Sequence, residues 1–267
     1  MRVLALDVGS SSVRARLYDE HARELEGSAR RSYEPRHDRD GSAELDADEL
    51  VLASEAVLEE AAAAEGYDAL AISCFWHSLL LLDADGRPLT PVLLWHDRRA
   101  APQAEKLARR LDAVSVHART GCFLHPSYWP AKLAWLAADR GDTLAAARRI
   151  VSFGDYLFQR LTGELRTSLS TASGTGLLDL RARTWDAELL DALALDPALL
   201  PPLGDATAGD PPVFLPLGDG ACSNLGAGCI TPDRAALMIG TSGAYRVVRE
   251  AVPKPRAGLF CYLLDER

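Results

Sequence analysis

The chain is 267 residues long, enough for two domains, and its 48% hydrophobic and 25% charged residues are an ordinary globular composition. Acidic residues outnumber basic ones 38 to 29, a net charge of -9, so no basic surface of the kind nucleic acid needs is implied. The apolar run at the N-terminus is too short for a signal peptide or a membrane span. The five cysteines include no CxxC pair, which argues against a disulfide scaffold or a structural zinc site and for a reducing cytoplasm.

In chain order, Val3-Leu4-Ala5-Leu6 is a buried-strand run and Gly9-Ser10-Ser11-Ser12 is a turn. Val13, Ala15 and Leu17 then alternate with Arg14, Arg16 and Tyr18, so the turn joins two strands as a hairpin. A Walker loop would lead into a helix and carry Gly-Lys-Ser/Thr. Asp46 and Glu49 have capping-box spacing and start a helix with Leu50, Ala53, Val57 and Ala61 on one face, ending near Gly66. Strands are expected at 69–73, 79–82 and 91–95, and helices at 100–112, 129–139 and 155–161. This mixture predicts an α/β layered domain.

The stretch 194–217 holds six of the chain's 15 prolines and reads as an inter-domain connection. After it come a Gly-Asp-Gly turn at 218–220, a helix of small residues at 221–228, a strand at 235–239, Gly240-Thr241-Ser242-Gly243 and a strand at 244–248. The order strand, Gly/Ser/Thr turn, strand repeats the opening. The apolar run 259–264 reads as a final strand in a domain too short to be complete.

Asp7 stands at the end of a buried strand, where a carboxylate can hold Mg²⁺ through its water shell. Gly9 permits the tight turn, Ser10, Ser11 and Ser12 with the loop amides can cradle phosphate, and Arg14 adds a fixed charge. A plain polar hairpin is the alternative, but the second copy at Gly240, Thr241, Ser242 and Gly243 favours a nucleotide gripped between two domains. Trp76 and His77 follow one strand, and Trp95, Asp97 and Arg99 follow another. Indoles can cover the C–H faces of a sugar, and a carboxylate with a guanidinium can hydrogen-bond its hydroxyls; burial in a core is the competing reading for each.

These motifs, with Thr120-Gly121-Cys122 through Trp135, resemble those of the FGGY carbohydrate kinases in order and spacing over nearly the whole chain. The resemblance implies an α/β ribonuclease-H-like, actin-like ATPase fold, with a sugar-kinase domain over 1–208 and the start of a nucleotide-binding domain over 209–267. It implies ATP and Mg²⁺ as cofactors, a sugar or sugar acid as substrate, no nucleic acid or membrane partner, a cytoplasmic location, and room for a homodimer at full length. Asp219 is then the catalytic carboxylate beside the sugar hydroxyl that attacks the γ-phosphate, although a helix N-cap is its plain alternative.

Glycerol kinases place Arg-Glu where Trp76-His77 stand. His77 is shared with xylulokinases and gluconokinases. The stretches 120–133 and 172–180 are more like gluconokinases, so gluconate is the expected substrate, with another FGGY pentulose or hexulose kinase, or a non-catalytic sugar-binding fragment, as alternatives. Arg99 and His77 are the expected basic contacts for an acidic substrate; His125 and Lys132 are structural or substrate contacts. Complete members of the family are close to twice this length, so the adenine and ribose pocket is expected to be missing. The run 259–264 would then be an exposed edge strand. A filament or chaperone ATPase shares the hairpin logic but not Trp95-x-Asp97-x-Arg99.

Overall fold

The computed structural model describes residues 1–63, 65–239 and 243–266. The chain opens as β1 (Arg2–Val8) and β2 (Ser12–Asp19), an antiparallel hairpin in which Asp7 lies opposite Arg14. Val13, Ala15 and Leu17 are buried while Arg14 and Arg16 are exposed, as the alternation requires. β3 (Glu24–Ser32) extends the meander on the sheet edge, a strand that its largely polar sequence conceals. β4 (Arg36–His37) and β5 (Ala43–Leu45) begin a small separate sheet.

Helix α1 (Ala47–Ala62) starts where Asp46 accepts hydrogen bonds from the Asp48 and Glu49 amides, both at 3.0 Å. It buries Val51, Val57 and Ala61. Its end lies so close to β3 that a Cβ on Gly27 (φ +137°) would come 2.4 Å from the Ala61 carbonyl oxygen. β6 (Ala69–Cys74) returns parallel to β1, with Asp7 opposite Ser73 and Val8 opposite Cys74.

β7 (Leu80–Leu82), β8 (Val92–Leu93), α2 (Ala101–Arg110), α3 (Ala113–Thr120), α4 (Trp129–Asp139), α5 (Gly141–Ala146) and β9 (Arg149–Val151) follow. They surround a second core that includes Leu79, Leu81, Trp129, Leu136 and Ile150. α6 (Phe153–Thr162) begins with a full capping box between Ser152 and Asp155. α7 (Leu169–Ser173), the hairpin β10 (Leu178–Asp179) and β11 (Thr184–Trp185), and α8 (Ala187–Ala192) complete this layer.

The proline-rich stretch is not simply a connection. It contains β12 (Thr207–Ala208), β13 (Val213–Phe214) and β14 (Leu217–Gly218), and the last two pair in parallel with β6. The main sheet thus runs β12-β13-β6-β1-β2-β3, with β14 also on β6. Prolines are compatible with strands this short, where few ladder donors are needed. α9 (Asp219–Gly226) begins directly at the end of β14. β15 (Ala235–Ile239) and β16 (Gly243–Val247) form a two-stranded hairpin that exposes Leu237, Ile239 and Tyr245.

The run 259–264 is not a strand. Its backbone is satisfied by helix ends instead: Cys261 N donates to the Gly121 carbonyl at 3.0 Å, and Leu263 N donates to Ser173 Oγ at 3.0 Å. His117 Nε2 donates to the Leu259 carbonyl at 2.8 Å, and Leu263 is buried in a third small core with Leu169, Leu178 and Leu180. The expected sheet edge is therefore a packed strap, although Leu259 and Phe260 stay exposed. No helix among the described residues is long and apolar enough to cross a membrane.

Gly218 is the tightest point of this framework: an added Cβ would lie 1.7 Å from Trp76 Cε2. Gly218→Ala is expected to lower unfolding stability by at least about 2 kcal/mol, the scale of core overpacking. Urea unfolding followed by tryptophan fluorescence measures it; an unchanged midpoint contradicts the packing.

Candidate active site

Parallel pairing brings three strand ends together. Asp7 on β1 and Leu217 on β14 both lie opposite Ser73 of β6, so Asp7 and the start of α9 with Asp219 stand at the same end of the sheet on either side of β6, and Asp219 feels the Asp7 charge. Asp7 accepts from Ser73 Oγ at 2.9 Å and is paired with Arg14 Nε at 2.9 Å. Its side chain stays 39% exposed. The turn at Gly9, Ser10, Ser11 and Ser12 closes with Gly9 N donating to the Ser12 carbonyl at 2.9 Å. Tyr33 braces it, its OH donating to the Gly9 carbonyl at 2.5 Å and its amide to the Ser11 carbonyl at 3.0 Å. Gly240, Thr241 and Ser242 lie outside the described residues; Gly243 begins β16.

Asp219 is the first residue of α9, where the helix dipole favours an anion. Its Oδ1 accepts from Gly220 N at 2.8 Å. Burial raises its carboxyl above the usual 3.8, opposed by the Gly220 amide and the charge of Arg246. One turn on, the Cys222 thiol is pushed up to about 11, chiefly by burial, and feels Asp219 and Asp7. Cys222 carries no motif and was not legible as a site residue.

Trp76 is almost wholly buried. Its indole faces Gly174, Gly218 and Gly220, and Nε1 donates to the Ser170 carbonyl at 3.0 Å. His77 adopts φ +68°, a left-handed conformation rare for a residue with a side chain. Its Nδ1 donates to the Gly174 carbonyl at 2.5 Å, and burial lowers its pKa to about 4, so the ring is neutral at pH 7. This corrects the expectation of His77 as a basic contact for an anion. The ring stands edge-on to Tyr128 and near Tyr262, which also tilts against Trp76 at 4.8 Å. Tyr262 was read as part of an edge strand; its place on this wall follows from the strap.

Lys132 is buried, and its Nζ donates to the carbonyls of His77 (2.5 Å), Leu94 (2.9 Å) and Leu93 (3.2 Å). It ties the turn of His77 to the segment leading into Trp95. His125 Nδ1 lies 3.1 Å from Ser127 Oγ, a local turn contact. Trp95 is 40% exposed and has free ring surface. Asp97 and Arg99 are occupied with each other: Arg99 Nη2 donates to Asp97 Oδ2 at 2.6 Å and to Glu44 Oε1 at 2.5 Å. Asp97 Oδ2 also accepts from Ala43 N at 3.2 Å, and the guanidinium lies 4.4 Å from the Trp135 ring centroid.

Among the described residues, no group of three or more His, Cys, Asp or Glu side chains is placed to hold a metal ion. A carboxylate at a half-exposed strand end, with oxygen donors nearby, nevertheless suits a hydrated Mg²⁺ that takes most of its ligands from water and phosphate.

The strand order and the placement of this site define an actin-like, ribonuclease-H-like fold. Residues 2–209 match the N-terminal domain of the FGGY family of carbohydrate kinases, and the chain belongs to that family. It is similar to the gluconokinase of Bacillus subtilis (28% identity; 74% of this chain, 42% of that protein) and to the xylulose kinase of Streptomyces rubiginosus (32%; 80% and 47%). The crystal structure of gluconate kinase from Lactobacillus acidophilus superposes with a TM-score of 0.93 at 30% identity, covering 99% of this chain and 57% of that one. The chain spans about half the length of the curated relatives it matches.

Lys132→Met leaves three buried carbonyls without their shared donor and should cost about 2–5 kcal/mol. The pH dependence supplies a sign. Burial lowers the folded-state pKa of Lys132 to about 7, below the ordinary 10.5. The unfolded chain therefore holds the extra proton between those values, and stability from this residue rises with pH across that window. The gap between wild type and Lys132→Met should widen from pH 7 to pH 10 in urea titrations; a gap that narrows contradicts the burial.

Proposed function

We propose that this chain carries the sugar-side half of an ATP-dependent carbohydrate kinase that phosphorylates a terminal hydroxyl, with gluconate as the leading substrate. The observation that carries the kinase reading is Asp219: a solvent-accessible carboxyl with a raised pKa, at a helix N-terminus, that feels the charge of Asp7 from the strand end across β6. As the sugar oxygen bonds to the γ-phosphorus and ADP departs, the hydroxyl proton passes to the Asp219 carboxylate, a contribution of roughly 10²- to 10⁴-fold. Asp7 would hold a hydrated Mg²⁺, which supplies charge neutralisation at the phosphates when bound. The 9–12 turn, Arg14 and the 240–243 turn are assigned to the phosphates.

Trp95 and His77 are assigned to the sugar, with Trp76 as its buried floor. Asp97 and Arg99, occupied as they are, serve by fixing the segment that presents Trp95. The first domain is assigned to 1–208 and the second to 209–267, with β13 and β14 of the second segment crossing back to pair with β6 of the first domain's sheet. The nucleoside pocket is placed in the portion that the longer relatives have beyond this match.

The gluconate reading is supported by the gluconokinase-like stretches at 120–133 and 172–180. Xylulose is the second reading, because xylulose kinases match at comparable identity. A panel of gluconate, xylulose, ribulose, rhamnulose and glycerol with ATP, on the product of the complete reading frame containing these residues, separates them. Gluconate should turn over fastest; faster turnover of xylulose reassigns the substrate.

In that protein Asp219→Asn should keep sugar binding and lose at least roughly 10²-fold in kcat. The acid limb of the wild-type pH profile should lie above the ordinary carboxyl value of 3.8, since protonated Asp219 cannot accept the hydroxyl proton. Asp7→Ala should raise the Mg²⁺ concentration needed for half-maximal rate. An unchanged Mg²⁺ titration leaves Asp7 a structural partner of Arg14.

A further inference from the structure

An acidic substrate needs a cation with free donors near Asp219, and most cations of this region are already occupied. Arg14 pairs through Nε with Asp7 and is assigned to the phosphates, Arg99 is held by Asp97 and Glu44, and Lys132 by three carbonyls. His77 is neutral at pH 7.

Arg246 on β16 differs. The strand alternates so that Ala244 and Arg246 are half-buried while Tyr245 and Val247 are exposed, which turns Arg246 toward α9. Asn224 Nδ2 donates to the Arg246 carbonyl at 3.3 Å and fixes β16 against that helix. The guanidinium lies over the first turn of α9: a Cβ on Gly220 would come within 3.0 Å of Arg246 Nε and 3.2 Å of Cζ. Its charge is felt by Asp219, and also by His77 and Tyr262 on the aromatic wall. Nη1 is buried and has no hydrogen-bond partner among the described residues. A buried charged donor left unpaired is costly, and such a donor in a native fold calls for an explanation such as a ligand group that it binds.

We propose that Arg246 is a specificity-determining residue that pairs with the carboxylate of an acyclic sugar acid bound beside Asp219. A guanidinium fork matches a carboxylate in two parallel hydrogen bonds, which an uncharged polyol or ketose of the same length cannot supply. This inference rests on the sugar-acid reading above and names the group that recognises the acid.

The test uses the 267-residue chain, with titration calorimetry of gluconate, its uncharged counterpart glucitol, xylulose and inorganic phosphate. The variants are Arg246→Gln and Arg246→Lys, each checked for an intact fold by circular dichroism. Wild type should bind gluconate more tightly than glucitol. Arg246→Gln should weaken gluconate at least about 10-fold, the scale of one charged hydrogen bond, and leave glucitol unchanged. Arg246→Lys should recover part of the loss.

Several results would overturn the assignment. If Arg246→Gln keeps the preference for gluconate, Arg246 is not the receptor, while the sugar-acid reading stands. If gluconate and glucitol weaken together, the residue acts through packing. If only phosphate binding falls, the anion is a phosphoryl group and not the sugar's carboxylate. A wild-type chain that binds xylulose but shows no preference for gluconate over glucitol removes the sugar-acid reading and this assignment with it.

Discussion

The position of the candidate base depends on one contact, the Trp76 indole against three glycines. Gly174 caps α7 while Gly218 and Gly220 straddle the junction of β14 and α9, and a side chain at any of them would approach the ring to 2.6 Å or less. Ser170 clamps the same junction: its carbonyl accepts from Trp76 Nε1, and its hydroxyl accepts from Gly218 N at 3.1 Å. Asp219 follows Gly218 directly, so whatever holds Gly218 on β6 also aims the carboxyl. A ring of this size buried on backbone gives a stiff contact, because no intervening side chain can change rotamer to absorb a shift.

The charges are arranged in the same restrictive way. Burying a charge without a partner is costly, so interior cations are usually neutralised locally. Arg99 has two carboxylates and Lys132 has three carbonyls. Lys132 also supports the unfavourable backbone of His77 by holding its carbonyl while Gly174 holds its ring. A φ of +68° at a non-glycine residue costs of the order of 1 kcal/mol and persists only when surroundings fix it. The result is a neutral imidazole set among Trp76, Tyr128 and Tyr262. Such a ring can hydrogen-bond a hydroxyl but does not attract an anion by charge.

Much of this was legible in the sequence where periodicity is strong. The β1–β2 hairpin follows from the alternation of Val13, Ala15 and Leu17 with arginines, and α1 from Asp46 and its apolar face. The convergence of Asp7 and Asp219 was legible only through the resemblance, because parallel strand pairing is non-local. β3 was missed because an edge strand exposed on one side carries little apolar signal. The proline-rich stretch misled because strands of two residues fall below any periodic pattern. Burial also reverses the chemical reading of a residue type. His77 and Arg99 look like free cations in a sequence, whereas one is desolvated and the other neutralised by Glu44, more than 50 residues earlier, and Asp97, two residues before it.

The segment after Gly218 divides in its attachment to the rest of the molecule. The α9 start is joined to β14 and β6, and the strap at 259–263 returns to α3 and α7, where Tyr262 OH meets Tyr128 OH at 2.6 Å. Between them the β15–β16 hairpin satisfies its backbone by self-pairing and leaves Leu237, Ile239 and Tyr245 in solvent. Hydrogen bonding explains the difference. Helix ends offer free acceptors, here the Gly121 carbonyl and the Ser173 hydroxyl, and an extended segment can use them one at a time without belonging to a sheet. Gly121 and Ser173 stand at such ends. The apolar strap therefore does not need strand neighbours to be ordered, and its order delivers Tyr262 to the rings of Trp76 and His77. β16 is held to α9 separately, by Asn224 Nδ2 donating to the Arg246 carbonyl, so Arg246 and Tyr262 reach the region of Trp76 and Gly220 by two independent attachments in the part of the sequence where the strand pattern was weakest.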